Sequence, residues 1–108
     1  MSYDIYLQID TGAEETVTVV EVGNYTTNVS GMWAEALGFR LYEVSGRTAG
    51  DTVPDLDRAI AAMQSDPDTY RAMNPENGWG DYSGALEYLR TLRDACVRHP
   101  KTQIYVSH

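Results

Sequence analysis

Tyr3-Asp4-Ile5-Tyr6-Leu7-Gln8-Ile9 is the stretch whose reading decides the fold class. Tyr3, Ile5, Leu7 and Ile9 fall on one side of an extended chain, and Asp4, Tyr6 and Gln8 on the other. That period of two is the mark of a strand buried on one face. Asp10-Thr11-Gly12-Ala13 follows as a turn. Residues 16–22 are rich in β-branched side chains and alternate again, which predicts a β-hairpin whose second strand ends at Gly23. At the far end of the chain, residues 103–107 alternate once more, with Ile104 and Val106 on one face. The third strand is expected beside one of the first two.

Between the hairpin and the last strand the period changes. Met32, Trp33, Ala36 and Leu37 suit a short helix, capped by Ser30 or Asn28 and stopped by Gly38. Residues 39–44 read as a short strand or an irregular apolar segment, and 45–50 as a loop. Leu56, Ile60 and Met63 have helical spacing, with Asp51 or Thr52 as cap and Pro54 in the first turn. Ser65-Asp66-Pro67 breaks this helix and starts a shorter one, with Tyr70 and Met73 facing inward. Ala85, Leu89, Leu92 and Cys96 form the stripe of a last helix that opens at Asp81 or Ser83 and ends at His99-Pro100. The order is ββαααβ. The expected class is α+β: a three-stranded, mostly antiparallel sheet with helices packed on one face.

The 108 residues fit one domain spanning 1–108. Eight Tyr, two Trp and one Phe are too many aromatics for a disordered, charge-rich chain. Cys96 is the only cysteine, so no intramolecular disulfide can form. The opening MSYDIYLQID has no basic segment and no long apolar run. Neither a signal peptide nor a membrane span is expected, and the cytoplasm is the expected location.

The net charge is −8, with seven acids against one base in residues 1–46. Such a field repels phosphate, so direct binding to nucleic acid is not expected. The same charge admits a nucleic-acid mimic, in which carboxylates stand in for phosphates.

Two polar stretches are the candidate sites. The first is Asn74-Pro75-Glu76-Asn77-Gly78-Trp79-Gly80-Asp81-Tyr82, in which two glycines free the backbone around a large aromatic. It reads either as a recognition loop on a rigid scaffold or as a core plug, with Asp81 capping the helix. Burial is the commoner fate of such an aromatic. The second runs from Asn24 through Tyr25 and Asn28 to Trp33 and enters a helix. Its helix N-terminus has the geometry to hold an anion, but no Lys or Arg lies nearby.

Chemistry-bearing sets are sparse. Asp51, Asp55 and Asp57 lack the spacing of a calcium loop and suit a helix N-terminus without an ion. The two histidines, His99 and His108, mark a helix end and the last position, so no metal site is expected. Walker, dinucleotide and nucleophile-elbow signatures are missing, and no cofactor is expected.

An apolar strand running into Asp10-Thr11-Gly12-Ala13 resembles the active-site turn of retroviral-type aspartic proteases, in which Asp10 would be one of two paired carboxylates. The rest of the chain departs from that pattern. It has too few residues before Asp10, no glycine-rich flap hairpin, and helical periodicity where strands belong.

A wider resemblance rests on Asn24-Tyr25-Thr26-Thr27-Asn28-Val29-Ser30, the run from Asn74 to Tyr82, Gly84-Ala85-Leu86 and the closing His99-Pro100. Together they resemble a group of short phage-encoded and bacterial proteins. The resemblance implies an origin, with the host cytoplasm as setting, and no mechanism.

The expected function is therefore a small non-enzymatic accessory protein that binds another protein, a host protein if the phage resemblance holds. Trp33, Trp79, Tyr25 and Tyr82 are its candidate anchors, since Trp and Tyr dominate binding hot spots. Three other readings stand beside it: the nucleic-acid mimic, a self-assembling or dimeric structural part, and a ligand-binding or catalytic domain. The last needs Asn24, Asn28, Glu76, Asn77 and Asp81 to meet in one pocket.

Overall fold

The computed structural model describes residues 2–10 and 16–108. Two strands, β1 (Ser2–Asp10) and β2 (Thr16–Thr26), precede four helices: α1 (Ser30–Leu37), α2 (Ala49–Ser65), α3 (Pro67–Arg71) and α4 (Tyr82–Arg98). A last strand, β3 (Gln103–Ser107), completes a three-stranded antiparallel sheet of order β2-β1-β3. The α+β class and the strand–helix–strand order are as the sequence predicts. The turn at 11–15 lies outside the described residues, so only Asp10 of the Asp-Thr-Gly-Ala stretch is placed. It pairs with Thr16 at the exposed end of the hairpin, in a chain whose later half is helical.

The alternation in β1 holds from Tyr3 to Leu7 and fails at Ile9, which is exposed near the free end of the hairpin. Tyr3, Ile5 and Leu7 are buried, as are Ile104 and Val106 of β3 beside them. Trp33 and Leu37 of α1, Leu56 and Met63 of α2, and Leu89 and Leu92 of α4 join them in one core, in which α4 lies against β1 and β2 and α2 packs on α1 and α4. Cys96 joins this core, and its burial pushes the thiol up to about 11.

Gly23 does not end β2. It sits inside the strand with φ 106°, and the pairing with β1 shifts between Ile5 and Tyr6 and again between Leu7 and Gln8. These bulges re-aim the strand, which then runs on through Asn24, Tyr25 and Thr26. The opposite edge of the sheet is closed. Gly46 N–H donates to Ile104 O at 2.7 Å, Ile104 N–H to Arg47 O at 2.9 Å, and Val106 N–H to Ser45 Oγ at 3.0 Å.

Several local expectations are corrected. Neither Ser30 nor Asn28 caps α1, because a 3₁₀ turn (Thr27–Val29) leads directly into it. Thr26 takes the capping role, its side chain accepting from Asn28 N–H. Residues Leu41–Val44 form a 3₁₀ turn and not a strand. Helix α2 starts before Asp51 and Thr52, since Ala49 and Gly50 N–H groups donate to the carbonyls of Thr102 and Pro100. Pro54 therefore lies inside the helix and beyond its first turn. Met73 is exposed, because α3 ends at Arg71 and the chain turns outward.

Among the described residues, no helix is long and apolar enough to cross a membrane. The carboxylates of Asp55 and Asp57 are taken up by arginines: Arg47 and Arg58 on Asp55, and Arg93 on Asp57.

Candidate functional site

An aromatic cluster fixes the base of the site. Trp33 is 0 % exposed, and its Nε1–H donates to the Ala85 carbonyl of α4 at 3.0 Å. Tyr3 meets it edge-on at 5.4 Å, and the Tyr88 and Tyr25 rings lie 5.5 and 6.1 Å away. Tyr88 Oη–H donates to Gly23 O at 2.8 Å, tying α4 to the bulged part of β2. Burial, with the Asp4 charge adding to it, pushes the Tyr88 phenol well above its ordinary value. The cluster anchors the end of β2 against α1 and α4.

The loop before α4 is shaped by its own side chains. Asn77 Oδ1 accepts Trp79 N–H at 2.9 Å, and Asn74 Oδ1 accepts Tyr82 N–H at 2.8 Å. Asp81 caps α4, its Oδ1 accepting Gly84 N–H at 2.7 Å. Gly78 and Gly80 have φ of 74° and 90°, which side chains rarely adopt. Gly80 also lies so close to Thr26, Val29 and Tyr25 that a Cβ there would collide with them. These constraints turn the indole of Trp79 outward, where it is 69 % exposed. The core-plug reading of Trp79 does not hold; Tyr82 fills that role, buried with its Oη–H donating to Met63 O at 2.7 Å.

The two polar stretches converge. Asn24, Tyr25, Thr26 and Asn28 form one side of an open cleft of about 640 Å³, and Asn77, Trp79 and Gly80 form the other, with Ser2 at the end of β1. Tyr25 is the hinge-pin between them, because its Oη accepts Asp81 N–H at 3.1 Å. Apart from this engaged phenol, the lining offers amides, hydroxyls and an indole: donors and acceptors without charge.

The structure sorts the predicted residues. Asn24, Tyr25, Asn28, Asn77 and Trp79 line the cleft. Asn74 and Asp81 hold the loop and α4 in place, and Glu76 is exposed beside them. Trp33 and Tyr82 are buried and present no contact surface; they are corrected from anchors to supports. Ser2 is a cleft residue outside both polar stretches, whereas Thr26 and Gly80 lie within them without being named as contact residues. Continuation of the alternation past Gly23 is the signal that would have found Thr26.

Compared with known proteins, the chain matches no protein-family model, no curated protein and no solved structure.

Proposed function

We propose that this chain is a non-enzymatic accessory protein that binds a partner protein in the cleft between the end of β2 and the Trp79 loop. The observation that carries this reading is the exposed indole of Trp79, held outward on a braced loop beside a row of uncharged hydrogen-bonding groups. A rigid, exposed Trp supplies large contact area with little entropy to lose, and interface hot spots use such residues. Asn side chains beside it match the donors and acceptors of a peptide backbone. The setting we propose is the cytoplasm of a host cell, in line with the resemblance to short phage-encoded proteins.

The test is a proximity-labelling and pull-down comparison of wild type with Trp79→Ala. A partner enriched by wild type and lost from the folded variant is the expected result. Equal recovery by both would remove the cleft from the binding site.

The volume of the cleft favours a second reading, in which a small uncharged polar ligand occupies it. A thermal-shift screen against such compounds separates the two. Stabilisation that disappears in Asn77→Ala supports the ligand reading.

A further inference from the structure

The face of the sheet turned away from the helices is open, and the strand register lays it out in rows. Asn24, Asp4 and Ser107 lie abreast, and Glu21, Tyr6 and Tyr105 form the next row. Asp4, Tyr6, Glu21 and Gly23 border a second hollow of about 280 Å³, and Asn24 is a wall of both this hollow and the Trp79 cleft. The two therefore adjoin at Asn24.

Their chemistry differs. The cleft lining is uncharged, whereas the hollow carries two carboxylates. None of the three strands contains a Lys or Arg. Among the described residues, Asp4 and Glu21 form no ion pair, while the acids on α2 that face arginines are matched. Ser2 Oγ–H donates to Asp4 Oδ2 at 3.3 Å and helps hold it. The rings of Tyr6 and Tyr105 lie 6.1 Å apart beside these acids, and such π faces attract cations. Strand rows are spaced like the alternate residues of an extended chain, so a peptide lying across this face meets the cleft and the hollow in sequence.

We infer that the partner segment bound at the Trp79 cleft continues across the open sheet face and carries a Lys or Arg that seats between Asp4 and Glu21. This rests on the cleft being a protein-binding site. A basic group there gains contacts with the half-buried Asp4 and the exposed Glu21 carboxylates and a tyrosine face, with no cation of the sheet to compete.

The test uses two synthetic peptide pools with the same randomised uncharged flanks, one with a central Arg and one with a central Ala. Both are passed over the immobilised full chain and read by mass spectrometry. The Arg pool is expected to be retained roughly threefold to tenfold over the Ala pool, the scale of two such ion pairs, and less so at raised salt. In Asp4→Asn/Glu21→Gln the ratio falls to near unity. Glu21→Gln alone, at an exposed edge position, gives a partial loss and guards against misfolding of the double variant. Trp79→Ala lowers retention of both pools and leaves their ratio unchanged. Equal retention of both pools by wild type, or an Arg preference that survives the double variant, overturns this inference and leaves the cleft reading standing. Retention of both pools that is indifferent to Trp79→Ala, or no retention of either, overturns the cleft reading as well.

Discussion

Tyr25 Oη accepts the Asp81 N–H at 3.1 Å, across a separation of 56 positions in the chain. The same ring lies under the first turn of α4, against Gly84, and packs among Trp33 and Tyr88. One side chain thus joins the last residues of β2, the aromatic cluster and the Trp79 loop.

Tyr25→Phe keeps the ring and removes the acceptor. The Asp81 N–H is exposed and water replaces part of the bond, so stability falls by only about 0.5–1 kcal/mol. The larger effect is local. Amide exchange at Asp81 speeds up relative to the core of α4, which NMR-detected hydrogen exchange reads directly.

Gly84→Ala sets two effects against each other. Alanine improves intrinsic helix propensity by about 1 kcal/mol. A Cβ at this position overlaps the Tyr25 ring and hydroxyl, however, and that ring is held by the Asp81 N–H and by its contacts with Trp33 and Tyr88. Overpacking wins, with a net loss of about 1–3 kcal/mol in chemical denaturation. In a Tyr25→Ala background the same substitution becomes neutral or stabilising, so a double-mutant cycle shows strong coupling.

The two tryptophans part company. Trp33→Ala removes a fully buried indole and its bond to Ala85 O, lowering stability by about 3–5 kcal/mol. Trp79→Ala changes stability by no more than about 0.5 kcal/mol. Fluorescence checks the assignment without a binding assay. Trp79→Phe leaves the blue-shifted, poorly quenched emission of Trp33, and Trp33→Phe leaves the red-shifted, acrylamide-quenched emission of Trp79.

Alkali weakens the fold. The Cys96 thiol is held up to about 11 from an ordinary 9.0, and the Tyr88 phenol is raised as well. Between the ordinary and the raised values the unfolded chain loses these protons and the folded chain keeps them. Stability therefore falls as pH rises from about 9 to 11, with Cys96 contributing on the order of 2–3 kcal/mol. Urea unfolding over this range shows the decline, and Cys96→Ala flattens the thiol's share of it. At lower pH the native thiol resists alkylation until the protein unfolds.

Much of the fold is legible because burial writes a local period into the chain. The alternation of β1 and β3 and the stripe of Leu89, Leu92 and Cys96 on α4 each report a face pressed on the core. The corrections arise where a distant partner replaces a local signal. Pro100 and Thr102 carbonyls start α2 early, and a bulge at Gly23 lets β2 continue through what reads as a break. The site is half legible for the same reason. Both tryptophans sit near glycines, but only tertiary packing separates the one under α4 from the one facing solvent. The meeting of Asn24 and Asn28 with Asn77 depends on the long-range bond from Asp81 to Tyr25, which no local pattern encodes.

The segment from Ser45 to Thr48 that lies along β3 gives the sheet a polarity. One border is sealed by the chain's own backbone, while on the other, among the described residues, β2 pairs only with β1. A sheet with a single receptive border can pair with another copy on that side alone. Two copies meeting border to border would bury both receptive strands and present sealed ones outward, so association by this route stops at a pair and does not run on into a fibre.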